Sequence, residues 1–306
     1  MEHYTYDRIL VPTDLSDFAT LALRYAAEFR ERLGSAITLL YADEISMPYD
    51  MLEAPIGYYL ENAPLTRERL QARFDDYAHA HLGGTYETSV VQDSPSRAIL
   101  NAAKTGRADL IIMGTHGRSG IRRTILGSVT ENVLRGAGVP VLTVTPRLMD
   151  VKRHARFARI LCPVNFTRVA RAALEHASVL AETFDAELTV MYVVEGLDQQ
   201  KVSEVESAFR HWIDPRIANR CRFSSMVVRD GDPAERVLAI AGSTTTDLIV
   251  IGAQHRFFSD TTVVGTTSER ITRFARCPVL TIARKAQVEI ASDRPAAAAL
   301  SVPYVS

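Results

Sequence analysis

A chain of 306 residues with 47% hydrophobic residues has the composition of a soluble α/β protein of about two domains. A net charge of −1 argues against a polyanion such as nucleic acid as partner, and no apolar run approaches the ~18 residues of a membrane span. Cys162, Cys221 and Cys277 have no CxxC spacing, which speaks against a disulfide framework or a metal site, and the start Met1-Glu2-His3-Tyr4 has no signal pattern, so a cytoplasmic location is expected.

In chain order, Arg8–Thr13 is a short apolar run and predicts a buried strand. Ser16 is placed to cap a helix. Its apolar positions Phe18, Leu21, Ala22, Tyr25, Ala26, Phe29 and Leu33 recur with helical spacing until Gly34 ends it. Ala36–Tyr41 predicts a strand, Thr66–Leu82 a helix ended by glycines, and Thr85–Val91 a strand. Ser94-Pro95 opens a helix to Ala103, with Pro95 where a first-turn proline fits. Leu110–Met113, Ser128–Arg135 and Val139–Val144 complete the series as strand, helix and strand. Apolar strands alternating with helices predict a parallel sheet covered on both faces.

The series then repeats. Arg8-Ile9-Leu10-Val11-Pro12 recurs as Arg159-Ile160-Leu161-Cys162-Pro163, at an offset of 151. Asp109–Gly114 recurs as Asp247–Gly252 and Pro140–Val144 as Pro278–Ile282, both at an offset of 138. The first copy therefore holds about 13 extra residues, assigned to the Pro-, Met- and Tyr-rich stretch Ile45 to Leu65, a packed loop, a lid or a contact surface. The period is that of a duplicated domain and not of a solenoid. The expected division is 1–148 and 156–285, joined by the basic linker Met149–Arg156 and followed by a flexible Ala/Pro-rich tail, 286–306. His176 stands where the first copy has Tyr25 and reads as a helix-face residue. The last strands, Val139–Val144 and Val279–Ala283, read as sheet edges that need a partner.

Ligands of open parallel sheets bind beyond the carboxyl ends of the strands, where the strand order reverses. Two such ends carry polar chemistry: Pro12-Thr13-Asp14, and Ile111-Ile112-Met113-Gly114-Thr115-His116-Gly117-Arg118 with Gly127-Ser128 beyond it. A strand ending in Gly-rich backbone beside a helix N-terminus is a recipe for holding phosphate. Asp14 can accept from a ribose hydroxyl or an exocyclic amine, or cap the following helix. Gly114 and Gly117 let backbone approach a ligand, or only punctuate a turn. Arg118 pairs with a phosphate oxygen or stays solvated, and His116 reads as a loop histidine. Ser128-x-x-Glu131 fits a capping box, repeated as Thr266-x-x-Glu269. Walker, GxGxxG, GxSxG and HExxH signatures do not occur, and no catalytic arrangement follows from spacing.

The spacing Gly114-x2-Gly117-x9-Gly127-Ser128 matches the ATP motif G-x2-G-x9-G-[ST] of the universal stress protein family. Val11-Pro12-Thr13-Asp14, Gly127-Ser128-Val129-Thr130-Glu131 and Pro140–Val144 resemble its start, helix entry and last strand. The resemblance spans both copies. It implies two Rossmann-like α/β domains of the adenine nucleotide alpha hydrolase kind, each a five-stranded parallel sheet of order 3-2-1-4-5, with ATP at the ends of strands one and four. Carried over, Asp14 binds adenine or ribose. Pro12, Thr13, Ala42 and Met113 line the adenine pocket, while Gly114, Gly117, Arg118, Gly127, Ser128, Val129 and Thr130 surround ribose and phosphates. Mg2+ is a candidate companion of the triphosphate. In the family the last strand pairs across a dimer, so a homodimer or an internal pseudo-dimer is expected.

The second copy departs from the motif. Asn165 replaces the aspartate, His255 replaces the second glycine in Gly252-x2-His255-x9-Gly265-Thr266, and Phe257 and Phe258 follow. Asn keeps a hydrogen bond and loses the charge, and His255 adds a side chain where close approach was needed. The expectation is a stress-response or regulatory protein that binds ATP in its first copy and weakly or not at all in its second. A slow ATPase or autophosphorylating enzyme, with Ser128 or Thr130 as acceptor, and a non-binding scaffold are the alternatives.

Overall fold

The computed structural model describes residues 4–44, 67–115, 126–145, 155–194, 202–229, 231–253 and 267–283. The stretch 45–65, the residues His116, Gly117, Arg118, His255, Phe257, Phe258, Gly265 and Thr266, the linker before Ala155, and the tail lie outside them.

The first copy runs β1 (Arg8–Thr13), α1 (Asp17–Leu33), β2 (Ala36–Ala42), α2 (Arg67–His81), β3 (Glu87–Val91), α3 (Pro95–Thr105), β4 (Leu110–Gly114), α4 (Ser128–Gly136) and β5 (Val141–Val144). The second runs β6 (Arg159–Val164), α5 (Arg168–Phe184), β7 (Glu187–Val194), α6 (Val202–Trp212), a single turn α7 (Pro215–Ala218), β8 (Arg222–Arg229), α8 (Pro233–Ser243), β9 (Leu248–Ala253), α9 (Thr267–Phe274) and β10 (Val279–Ala283). Among the described residues no helix is long and apolar enough to cross a membrane.

Local chemistry sets the helix boundaries alike in both copies. Ser16 Oγ accepts from the Ala19 N–H at 3.3 Å, and Thr167 Oγ1 accepts from the Ala170 N–H at 3.2 Å. At the other end Gly34 takes a left-handed φ of 73°, and its counterpart Asp185 takes 51°. Along the apolar stripe of α1, Leu21, Ala22, Tyr25, Ala26 and Phe29 are buried as expected. Leu33 is 38% exposed, while its counterpart Phe184 packs on Phe29 and Phe157.

All strands join one sheet of order β3-β2-β1-β4-β5-β10-β9-β6-β7-β8. Each copy has the expected 3-2-1-4-5 order and parallel pairing. The last strands meet antiparallel, Val279 opposite Thr143, Leu280 opposite Leu142 and Thr281 opposite Val141. The partner that β5 and β10 need is therefore each other, within one chain, and the sheet edges are β3 and β8.

The two faces of this sheet are packed differently. On one face the residues under α1, α2, α5 and α6 form a single core that runs through both copies and includes Leu142, Val144, Leu280 and Ile282 at the seam. On the other face each copy keeps its own core, one under α3 and α4 and one under α8 and α9. A continuous core of this kind ties the copies by apolar burial, at roughly 25 cal/mol per Å².

The seam also holds a buried polar pair. His176 on α5 is 6% exposed; its Nδ1 lies 2.7 Å from the Tyr6 hydroxyl and its ring 3.8 Å from that of Tyr4. Burial pushes the imidazole down to about 4. At the pseudo-equivalent place Phe157 faces Tyr25, with ring centroids 5.6 Å apart. The helix-face reading of His176 holds, and the tertiary structure adds its cross-copy partner.

Candidate functional site

β1 sits between β2 and β4, which is the point of strand reversal. Its pairing with β2 continues to Thr13, whereas its pairing with β4 stops at Leu10 opposite Ile111. Pro12 follows with no N–H to extend a ladder. The strands part there and open a cleft at their carboxyl ends. A cavity of about 450 Å³ occupies it, within the ~300–1,000 Å³ typical of ligand pockets.

Pro12, Thr13, Asp14, Ala42, Met113, Gly114, Gly127, Ser128, Val129 and Thr130 all line this cavity. Gly117 and Arg118, named with them from the sequence, lie outside the described residues. Sequence reasoning missed Leu40, Pro95 and Ile99, which add apolar wall, and Asp43 and Glu44, which add carboxylates at the end of β2. Applied to the end of β2 as well as to the ends of β1 and β4, the strand-end rule would have found both acids.

Two polar ends result. After β1 and β2 come Asp14, Asp43 and Glu44, which accept hydrogen bonds and suit hydroxyl or amine donors. After β4 comes the start of α4. Here the structure corrects the capping box: Gly127, not Ser128, is the N-cap, and no side chain caps the helix. Glu131 turns away to pair with Arg135. The first N–H groups of a helix have no intrahelical acceptor, and Gly127 has no side chain to compete for them. This end of the cavity suits an anion, which the helix dipole favours by roughly 0.3–1 kcal/mol.

The start of α4 is tied to the strand end. The Thr130 hydroxyl donates to the Gly114 carbonyl at 3.0 Å, and the Gly127 N–H donates to the Thr115 carbonyl at 2.9 Å. Thr130 therefore holds the loop with its proton. The second copy repeats the tie, Ser268 Oγ donating to the Gly252 carbonyl at 3.2 Å. Gly252 has a packing reason of its own, since a Cβ there would lie 2.7 Å from the Val169 carbonyl oxygen. In the second copy this glycine is thus needed where the end of β9 presses on the start of α5.

Asp14 does two things at once. Its Oδ1 accepts from the Ser16 N–H at 3.1 Å and from the Ser16 hydroxyl at 2.6 Å, while the residue lines the cavity. Asn165 accepts the Thr167 hydroxyl at 2.7 Å in the same way. The turn needs only a carbonyl-type oxygen, so it does not account for the charge of Asp14.

Comparison with known proteins identifies relatives of this sequence and fold. The family model of the universal stress protein family matches residues 5–145, 156–211 and 216–283. A universal stress protein of Mycolicibacterium smegmatis is 25% identical over 292 residues, covering 90% of this chain and 96% of its own. One from Methanocaldococcus jannaschii is 32% identical over 140 residues, covering 45% of this chain and 82% of its own. The solved structure of a universal stress protein from Archaeoglobus fulgidus superposes with a TM-score of 0.69 at 24% identity, covering 92% of this chain and all of that one.

Proposed function

The chain belongs to the universal stress protein family, and from that premise we propose that its first domain, 1–148, binds ATP and its second, 156–285, does not. The observation that carries the reading is the polarised cavity at the ends of β1 and β4. Asp14 and its neighbouring carboxylates meet the sugar and amine donors of the nucleoside. Leu40, Ala42, Met113, Ile99 and Val129 offer the base an apolar slot. The N–H groups of Ser128, Val129 and Thr130 meet the phosphates, joined by Gly117 and Arg118 on the motif's pattern. Among the described residues no three His, Cys, Asp or Glu side chains are grouped to hold a metal. Mg2+ would accompany the triphosphate as a hard cation that takes oxygen ligands. Bound ATP acts as a ligand that favours the folded state, in keeping with a regulatory stress-response role.

Isothermal titration of the full chain tests this. One ATP per chain, lost in Asp14→Ala, is the expected result. Two per chain, or binding that survives Asp14→Ala, overturns the assignment to the first copy.

A further inference from the structure

The loop that carries Asp14 is held by a chain of hydroxyls that passes through a different helix. The Leu15 N–H donates to Thr13 Oγ1 at 3.0 Å, and the Thr13 hydroxyl donates to the Tyr77 oxygen at 3.5 Å. Tyr77 and Thr20 share a hydrogen bond of 2.9 Å, and the Thr20 hydroxyl donates to the Ser16 carbonyl at 3.3 Å. Since Thr20 spends its proton on Ser16, Tyr77 donates to Thr20. Each hydroxyl then accepts once and donates once, and the chain starts on the Leu15 N–H and finishes on the carbonyl of the next residue, Ser16. Chained hydrogen bonds of this kind reinforce one another. Leu15 itself stands at φ 65°, a conformation that a leucine adopts only when held.

The second copy holds the same turn without this chain of hydroxyls. Phe166 has φ 60°. Val164 replaces Thr13 and Arg171 replaces Thr20, and Trp212 on α6 takes the place of Tyr77 on α2. Phe166 is wedged among Tyr192, Phe209 and Trp212 at 4.6–6.2 Å, and Arg171 lies 4.6 Å over the Trp212 ring. The copy that keeps the aspartate keeps the hydroxyl chain, and the copy that lost it replaced the chain with apolar packing.

We propose that Tyr77 and Thr20 are positioning residues for nucleotide binding: through Thr13 they fix the Asp14 loop in the binding conformation and link the site to helix α2. This rests on the ATP reading above. The test measures ATP affinity of the full chain by titration calorimetry, with the thermal midpoint of the nucleotide-free protein beside it. Tyr77→Phe and Thr20→Val each weaken ATP about 3- to 10-fold, the span of one hydrogen bond. Thr20→Ser, which keeps the hydroxyl, restores wild-type affinity. The double variant loses less than the product of the single losses, because both cut one chain. Wild-type affinity in both single variants overturns the positioning role while leaving ATP binding intact. Equal losses in Thr20→Val and Thr20→Ser overturn it too, since shape and not the hydroxyl would then matter. A wild-type chain that binds no ATP overturns the nucleotide reading and this inference with it.

Discussion

The two copies share a backbone and differ in what fills it. At the end of the first strand both make the same turn, with Leu15 or Phe166 in the left-handed region and Ser16 or Thr167 capping the helix. In the first copy the turn is backed by hydroxyls and carries a carboxylate. In the second it is backed by aromatic rings and carries an amide. At the fourth strand both keep a glycine and a hydroxyl tie to the next helix. The features common to both serve the fold, and those in the first alone are the ones the proposed nucleotide would use. The same contrast recurs at the seam, where Tyr6 and His176 form a polar pair and Phe157 and Tyr25 an apolar one.

The largest expected effect comes from making the first copy resemble the second at the site. Asp14→Asn with Gly117→His loses a charge-assisted hydrogen bond worth about 1.5–3 kcal/mol and adds a side chain beside the ligand. Titration is expected to show a fall in ATP affinity of roughly 1,000-fold, about 4 kcal/mol. Undiminished binding would break the comparison.

Next is the seam. In the unfolded chain the imidazole takes its proton near pH ~6.5, and in the fold only near 4. Between these values the unfolded state binds more protons. Stability from this group is complete above about pH 6.5 and declines as the pH falls to about 4, by about 3 kcal/mol in all. The facing groups are Tyr4 and Tyr6, with Glu175 on the same helix accepting the Tyr4 hydroxyl at 3.1 Å. His176→Tyr with Tyr6→Phe copies the apolar pair, and denaturant titrations across this window should lose that part of the pH slope. A slope unchanged from wild type would assign it to other groups.

A smaller effect is expected at Gly252. Its Cβ would meet backbone of Val169 and Ala170, which cannot move aside as a side chain does. Gly252→Ala should cost about 1–3 kcal/mol in chemical denaturation and leave ATP affinity unchanged. Loss of affinity would mean that the second copy contributes to binding.

The smallest effects are the matched caps. Ser16→Ala and Thr167→Ala should each cost about 1 kcal/mol, and only Ser16→Ala should also weaken ATP, because its hydroxyl touches Asp14. Equal effects on ATP would show that the loop does not transmit the cap to the site.

Much of this was legible before any coordinates. Strand and helix periods and the residues Pro12, Asp14 and Gly114 are short-range signals that depend on neighbours within a few residues, and the duplication is read by matching such short stretches at offsets of 151 and 138. The capping box at Ser128 was misread for the same reason: the pattern is local, but the choice of Gly127 as N-cap is made by its N–H bonding to Thr115 across the loop.

By itself the sequence determined the duplication, the parallel α/β class, the strand-end location of the site and the asymmetry between Asp14 and Asn165, all carried by residue type and spacing. The tertiary structure alone decided that β5 and β10 pair within one chain, that one face has a shared core and the other two separate ones, and that Tyr77 reaches the Asp14 loop and Tyr6 reaches His176. Those contacts join residues 57 to 170 positions apart. Their partners are chosen by how sheets and helices pack, and side-chain patterns along the chain do not encode that distance.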